Sequence, residues 1–576
     1  MQFSKLANYF FKLESTSSRN AMVEILGELF QETEASEIDK VAYLTQGRVA
    51  PLYEPVELGM AEKMVIKAIS QGSGSSEQRT VELFKKTGDL GEVAQKLGEE
   101  SRSKNQGKQT VTEVFEKLLE IAKTEGVGSV EKKIGILAGL LRESDPLSTR
   151  YVARIPVDKM RLGFSDMTVL EGLSWMLDGT KKHKDRIEAA YNIRPDLGYI
   201  VKQVKEAGLA GIEHARPAVK TPIFSMRAER LANAKDILEK GGGKMAVEPK
   251  IDGLRTQLHL KRNGKNCEIR LYSRGLENVT GMYPDLVAAA EEEVTCDDVI
   301  LDGEAIGFDP KTGKYLPFQE TVQRKRKYDI DLFSKNFPLK LVVFDCLIYN
   351  GQSYLNEPYT KRRELVEKLL KGNKIIVPAE RHLVDKPEEL KRIFDEEIKK
   401  GLEGIMAKKL DGVYQAGARG WNWIKLKASY EGKMNDTVDA VVMGYDFGQG
   451  KRNKFGVGAF LIGVYDKQSD QFKTLSKVGT GLTDQEWREL VKKGKELVVS
   501  QKPKNYDVNK IMNADVWLKP KLVGVFRADQ LTKSPMHTAG YALRFPRLDN
   551  WRTDKLPQDA TSLKEINEMA LLQKKA

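Results

Sequence analysis

The chain has 576 residues, more than one ordinary hydrophobic core can organise, so two to four domains are expected. Lysine and arginine number 94 against 82 aspartates and glutamates; the formal net charge of +12 suits a polyanionic partner, nucleic acid before an anionic membrane, although surplus surface lysine alone gives the same balance. No run of about 18 apolar residues occurs, so no transmembrane helix is expected.

The first residues, "MQFSKLANYFFKLESTSS", carry Lys5 and Lys12 and have no signal-peptide apolar core. Cys267, Cys296 and Cys346 are too scattered for a C-x-x-C zinc pair or a disulfide framework, so an intracellular, reducing location is expected. Residues 1–215 read as helical. Phe3, Leu6, Phe10 and Leu13 recur at helical spacing, and Met22, Ile25, Leu26 and Leu29 do so after a Ser-Thr-Ser-Ser cluster that offers an N-cap. "VTEVFEKLLEIAKT", "VEKKIGILAGLLRES" and "KDRIEAAYNI" continue the pattern, with a polar loop, "GEESRSKNQGKQT", between the earlier helices and these. An all-α domain is predicted here.

At "HARPAVKTPIFSM", Pro217 and Pro222 break any helix, and the segment reads as a linker. Residues 216–427 then read as α plus β. "TQLHLKRNGKNCEIRLYS" alternates on both sides of Asn263-Gly264, a hairpin signal. "DDVILDGEAIGFDPKTGKYLPF" predicts two strands around a Pro/Gly turn, and "KLVVFDCLIYNGQS" predicts a buried strand ending at Asn350-Gly351. "GLEGIMAKKLDG" and "NWIKLK" supply further strands. From residue 428 to 576 short strands such as "DAVVMGYDFG", "GAFLIGVYD", "FKTLSKVG" and "LVGVFRAD" predict a small β-barrel or sandwich.

The chemistry gathers around "AVEPKIDGLRTQLHL", residues 246–260. A lysine is a nucleophile only when neutral, so an active lysine needs cationic or desolvating neighbours. Attack on phosphorus also requires Arg, Lys or Mg²⁺ to neutralise the phosphate oxygens. Lys250 has Arg255 in the same turn and Arg274 in "LYSRGLENVT". Glu304 and Glu403 are candidates to hold a divalent ion, and Arg419, Lys425 and Lys427 form a phosphate-ready cluster. Lys425 and Lys427 are two apart on a predicted strand and share a face. Taken singly these signals are weak: Asp252-Gly253 can be a plain turn, D-G-E a solvated strand end, and alternating lysines an exposed sheet face.

Their order carries more. K-x-D-G-x-R at Lys250–Arg255 is followed by S-R-G at Ser273–Gly275, D-G-E at Asp302–Glu304, "PFQETVQRKRKYD", "VVFDCLIYNG", E-G-I-M-A-K at Glu403–Lys408, "NWIKLK" and "LRFPRLDNWRTDK". In this order the motifs resemble the covalent nucleotidyltransferases, and among them the ATP-dependent DNA ligases. "MRLGFSDMTVLEGL", residues 160–173, resembles the DNA-binding-domain signature of the archaeal and eukaryotic replicative type.

The resemblance implies a helical DNA-binding domain, an adenylylation domain and an OB-fold domain over the three regions above. It implies an enzyme that seals nicks in double-stranded DNA with ATP and Mg²⁺, in replication, repair and recombination. Lys250 would take AMP as a phosphoramidate. Glu248 would recognise the adenine amino group, with Phe344 stacked on the ring, against a competing reading of Phe344 as plain core. Arg255 and Glu304 would contact the ribose, Arg274 and Arg419 the phosphates, and Lys425 and Lys427 the α-phosphate. Glu304 and Glu403 would serve the metal, and Arg544 and Arg547 would orient the leaving pyrophosphate. ATP is favoured over NAD⁺ because the zinc-binding cysteines of NAD⁺-dependent ligases are missing. A monomer with no membrane contact is expected. A sliding clamp is a candidate partner, but "SRSKNQGKQT" lacks the aromatic residue that clamp binding at that loop would use. The rivals are a GTP-dependent mRNA-capping guanylyltransferase and a catalytically silent DNA-binding scaffold. The helical domain and "LRFPR" argue against the first, and the intact lysines and glutamates against the second.

Overall fold

The structure, a computed structural model, describes every residue except 17, 102–106, 158–159, 214, 232, 265, 327, 428–436, 449–455, 553–554 and 574–576. The chain divides into two compact units, Met1–Leu426 and Lys427–Ala576. No helix among the described residues is long and apolar enough to cross a membrane.

The first 213 residues of the larger unit are helical, from Phe3–Glu14 to Ala210–Glu213, around one apolar core. The predicted stripe Phe3, Leu6, Phe10 and Leu13 is wholly buried. Ser18 caps the second helix, Arg19–Glu32, by accepting from the Ala21 amide, and Thr110 with Glu113 forms a capping box on Val111–Lys123. One buried cation ties distant helices together. Arg154 donates to Asp89 (2.6 and 3.1 Å) and to Glu14 (2.9 and 3.1 Å), so its charge is fully compensated.

The proline-broken stretch after these helices is no free linker. Gln257 Nε2 donates to the Ile223 carbonyl (2.8 Å), the Ile223 amide donates back to Gln257 Oε1 (2.9 Å), and the Lys220 amide donates to His259 Nδ1 (3.1 Å). Burial holds the His259 imidazole down to about 3, so it stays a neutral acceptor. Period and breaker signals detect the lost helix; they carry no information about such long-range polar contacts.

Beyond it lie two sheets. The strands are β1 (Arg227–Arg230), β2 (Met245–Lys250), β3 (Leu254–Asn263), β4 (Asn266–Ser273), β5 (Asp298–Gly307), β6 (Leu339–Tyr349), β7 (Gln352–Ser353), β8 (Ile376–Pro378), β9 (His382–Val384), β10 (Gly404–Lys409) and β11 (Arg419–Lys427). One sheet runs β1-β11-β10-β2-β9; the other runs β4-β3-β5-β6-β7, with β8 parallel on β6. The β3–β4 hairpin turns at Gly264, whose φ is +63°. The stretch predicted as two strands around Pro310 holds one, β5; the second arm makes a single bridge, Phe308 to Tyr315, before the helix at Phe318–Thr321. In chain order the second sheet is inserted into the first, between β2 and β9.

The smaller unit contains β12 (Val438–Asp446), β13 (Ala459–Asp466), β14 (Gln471–Val478), β15 (Val498–Val499), β16 (Tyr506–Asp507), β17 (Val516–Leu518), β18 (Val523–Arg527), β19 (Gln530–Lys533), β20 (Tyr541–Arg544) and β21 (Arg547–Arg552). The sheet order is β15-β17-β12-β13-β14-β16; β18 bridges β12 to β21, and β19 pairs with β20. The helices Asp484–Lys495 and Leu563–Leu572 bury Trp487, Leu490 and Ile566 in the same core.

Candidate active site

The K-x-D-G segment is where the chain steps from one sheet to the other. Lys250 ends β2, and Leu254 begins β3. Gly253 lies so close to β5 that a Cβ there would stand 2.5 Å from the Ala305 carbonyl oxygen and 3.0 Å from Glu304 Cγ. Glycine is required by this approach. The step opens a cavity of about 390 Å³ lined from both sheets, and Lys250 borders it.

β2 pairs antiparallel with β10, which sets Lys250 opposite Gly404, and the Glu403 amide donates to the Lys250 carbonyl (3.2 Å). This register brings Glu403 Oε2 to 2.6 Å from Lys250 Nζ. Glu248, two residues back on β2, also borders the cavity but is almost wholly buried. Its Oε1 accepts from Tyr359 (2.6 Å) and Arg363 (3.3 Å), and its Oε2 meets Lys408 Nζ at 2.7 Å. A carboxylate has about four lone-pair sites, so roughly one remains for a ligand.

The opposite wall carries Arg255 and Glu304, which are register partners on β3 and β5. Arg255 forks onto buried Asp302 (3.0 and 2.6 Å), which also accepts from Tyr414 (2.7 Å). Its guanidinium lies 5.0 Å from the Phe344 ring centroid and 5.4 Å from that of Trp423. Burial, foremost, raises the Glu304 carboxyl to about 7; Lys250 and Arg255 pull it down, and Asp302 and Asp252 push it up. Phe344 packs edge-on against Trp423 at 5.8 Å and still borders the cavity, so it serves both core and wall.

Arg274, Arg419 and Lys425 line the same space. Lys427 lies beyond the lining, at the end of β11, where Ile424 and Leu426 are buried and the lysines between and after them are not. Arg544 and Arg547 are in the smaller unit. They flank Phe545, whose φ of +53° turns the chain from β20 into β21, and the Arg544 guanidinium lies 5.5 Å from the Phe545 ring centroid. Asp549, the acidic residue two positions after Arg547, is bonded by Arg527 (3.0 and 2.7 Å).

Lys408 was missed among the sequence candidates. It lines the cavity, donates to the Phe344 carbonyl (3.0 Å), and lies 4.6 and 4.5 Å from the Phe344 and Trp423 centroids. Burial lowers its pKa. A signal was present: Met406 and Lys408 alternate on β10, and both face the cavity. Tyr359 and Arg363 left no comparable signal.

No group of three His, Cys, Asp or Glu residues poised for a metal occurs among the described residues. The carboxylates beside Lys250 are hard oxygen donors suited to a cation that arrives on phosphate oxygens.

The DNA ligase N terminus family matches residues 2–174, the ATP dependent DNA ligase domain residues 225–427, and the ATP dependent DNA ligase C terminal region residues 453–555. A protein described as a probable DNA ligase, from Dictyoglomus thermophilum, is 44% identical over 100% of this chain and 98% of its own. The chain belongs to the ATP-dependent DNA ligase family. Within that family, a DNA ligase of Saccharolobus solfataricus is 39% identical over 99% of this chain and 97% of its own. The solved structure called Pmar-Lig_Pre is 18% identical and covers 96% of this chain and 99% of its own with a TM-score of 0.54, which shows a shared fold. As an ATP-dependent DNA ligase the chain is an enzyme that works through an adenylylated intermediate. It joins a helical N-terminal domain, a nucleotidyltransferase domain and a C-terminal β domain.

Proposed function

We propose that Lys250 carries AMP and that the cavity between the sheets binds ATP for sealing nicks in duplex DNA. The observation that carries this reading is Lys250 Nζ held 2.6 Å from Glu403 on the border of a cavity with Arg274, Arg419 and Lys425 in its walls. In the first step the Nζ lone pair forms a bond to the α-phosphorus, the bond to pyrophosphate breaks, and Glu403 is placed to receive the ammonium proton. In the second, an oxygen of the 5′-phosphate at the nick attacks that phosphorus and the lysine leaves. In the third, the 3′-hydroxyl attacks the activated 5′-phosphate and AMP leaves.

Each step gathers negative charge on phosphate oxygens, which the cationic wall offsets. Phe344 offers a face for the adenine ring, Glu248 its remaining lone pair to the amino group, and Glu304 a ribose contact. Arg255, held by Asp302, shapes the ribose end through its position. Glu304 and Glu403 would hold Mg²⁺ delivered on the nucleotide, which supplies further charge neutralisation when bound. Lys427 would reach phosphate on closure of the β domain, which we read as an OB-fold whose Arg544 and Arg547 act on the leaving pyrophosphate.

The helical domain would grip duplex phosphates without reading sequence. A supporting feature is the convergence of Arg19 (2.6 Å), Lys184 (3.2 Å) and Lys181 (3.4 Å) on one carboxylate, Glu171, leaving that surface cationic. We read the protein as an intracellular monomer. Residues 102–106 of the loop "SRSKNQGKQT" lie outside the described ones, and clamp binding is assigned to no surface.

Incubation with α-labelled ATP, GTP and NAD⁺ in turn tests the reading. ATP alone is expected to label the chain, Lys250→Ala is expected to abolish labelling, and the adduct is expected to be acid-labile and alkali-stable. Undiminished labelling of Lys250→Ala refutes it.

A further inference from the structure

A tyrosine of the helical domain packs beside the turn that carries Arg274. Tyr53 lies in the loop between the helices Ile38–Thr45 and Glu62–Ser73, and it is buried. Its hydroxyl donates to Asp196 Oδ2 (3.4 Å), and Asp196 also accepts from Tyr43 (2.5 Å) and from the Tyr199 amide (3.0 Å), so Tyr53 is anchored in the helical core. Its ring meets the Tyr272 ring of β4 edge-on, with centroids 6.4 Å apart, and packs in one cluster with Tyr272 and Leu276. The next residue, Glu54, lies 3.7 Å from Arg270 of the same strand.

Leu276 has φ +65°, a left-handed conformation uncommon for a leucine, yet it is 3% exposed. The turn that holds it is closed by the Leu276 amide on the Ser273 carbonyl (2.9 Å) and the Ser273 amide on the Glu277 carbonyl (2.9 Å). Between the two ends of that turn sits Arg274, which lines the cavity. Leu276 and Arg274 therefore share one hydrogen-bonded turn, and the strained Leu276 is buried in the cluster that contains Tyr53.

We infer that Tyr53 is a positioning residue for the first chemical step: it clamps Leu276 and thereby aims Arg274 at the nucleotide phosphates. The inference rests on the phosphate role given to Arg274 above. It makes nucleotide transfer to Lys250 depend on the helical domain even when no DNA is present.

The test is single-turnover formation of labelled enzyme–AMP by the full chain without DNA, over a range of ATP concentrations. Arg274→Ala is expected to slow the step about tenfold or more; an unchanged rate removes the phosphate role and the inference with it. Tyr53→Ala is expected to slow it by about five- to tenfold, and Tyr53→Phe, which keeps the ring, by less than about twofold. In the Arg274→Ala background, Tyr53→Ala is expected to add less than about twofold, because the group it aims is gone. Tyr53→Ala at the wild-type rate, or an undiminished loss in the Arg274→Ala background, overturns the inference while leaving the role of Arg274 standing. Leu276→Ala trims the same contact from the other side and stands in if Tyr53→Ala does not fold, with the same outcomes deciding.

Discussion

Glu304 is held at a cost to stability. Its carboxyl sits near 7 in the folded chain against an ordinary value of 4.5, chiefly through burial. Between those values the folded form keeps a proton that the unfolded chain has released. Stability therefore falls as pH rises through that window, and the whole cost is present above it. The ionised carboxylate costs at most ~3 kcal/mol, less to the extent that water in the cavity screens it. Glu304→Gln is expected to raise the urea midpoint at pH 8, to leave it unchanged at pH 4, and to slow adenylylation; a midpoint gain of equal size at both pH values contradicts the account. The motif showed Glu248 and Glu304 in the sequence, but not what surrounds them. Tyr359 and Arg363, which hold Glu248, lie 111 and 115 residues further along the chain. A buried carboxylate must have such partners, yet nothing in local spacing says which residues they are.

Elements with a strong period were the most legible. Helices such as Phe3–Glu14 and Val111–Lys123, and the hairpin at Gly264, follow directly from apolar spacing and turn residues. The arm after Pro310 was predicted as a strand because its turn signal is real, with Gly313 at φ +71°, but one bridge is all that follows. The strap pinned by Gln257 and His259 failed for a similar reason: prolines announce what a segment is not. Gly253 permits an element-scale test. A methyl group there must push β3 off β5, so Gly253→Ala is expected to destabilise by about 1–3 kcal/mol and to slow enzyme–AMP formation by an order of magnitude or more. Gly281 is the control, because a Cβ there meets nothing within 4 Å. Loss of labelling in both variants, or in neither, means that the close approach is unimportant.

For the whole molecule, the three textures of the chain were visible from composition and period, but the interleaving of the two sheets was not. β2 and β10 pair in register although Lys250 and Gly404 are far apart in sequence. The role proposed for Arg544 and Arg547 requires domain motion, because the β domain would serve the first step and then leave room for DNA at the adenylate. Arg544→Ala is expected to slow adenylylation by about a hundredfold while sealing of a pre-adenylated nick falls by no more than about tenfold; an equal fall in both rates contradicts a role on pyrophosphate. The inserted sheet also has a consequence during synthesis. The lysine emerges from the ribosome long before β10 and β11; Glu403 directly precedes β10, and the two strands bring Lys408, Arg419 and Lys425. At about 5–20 residues per second, the stretch from Lys250 to the end of β11 takes roughly 9 to 35 s to make. During it the nascent chain has the proposed nucleophile but only part of the pocket, so adenylylation of the growing polypeptide is not expected. The walls of the pocket are completed in one event, when β11 pairs with β1 and β10, and the β domain is made only after that.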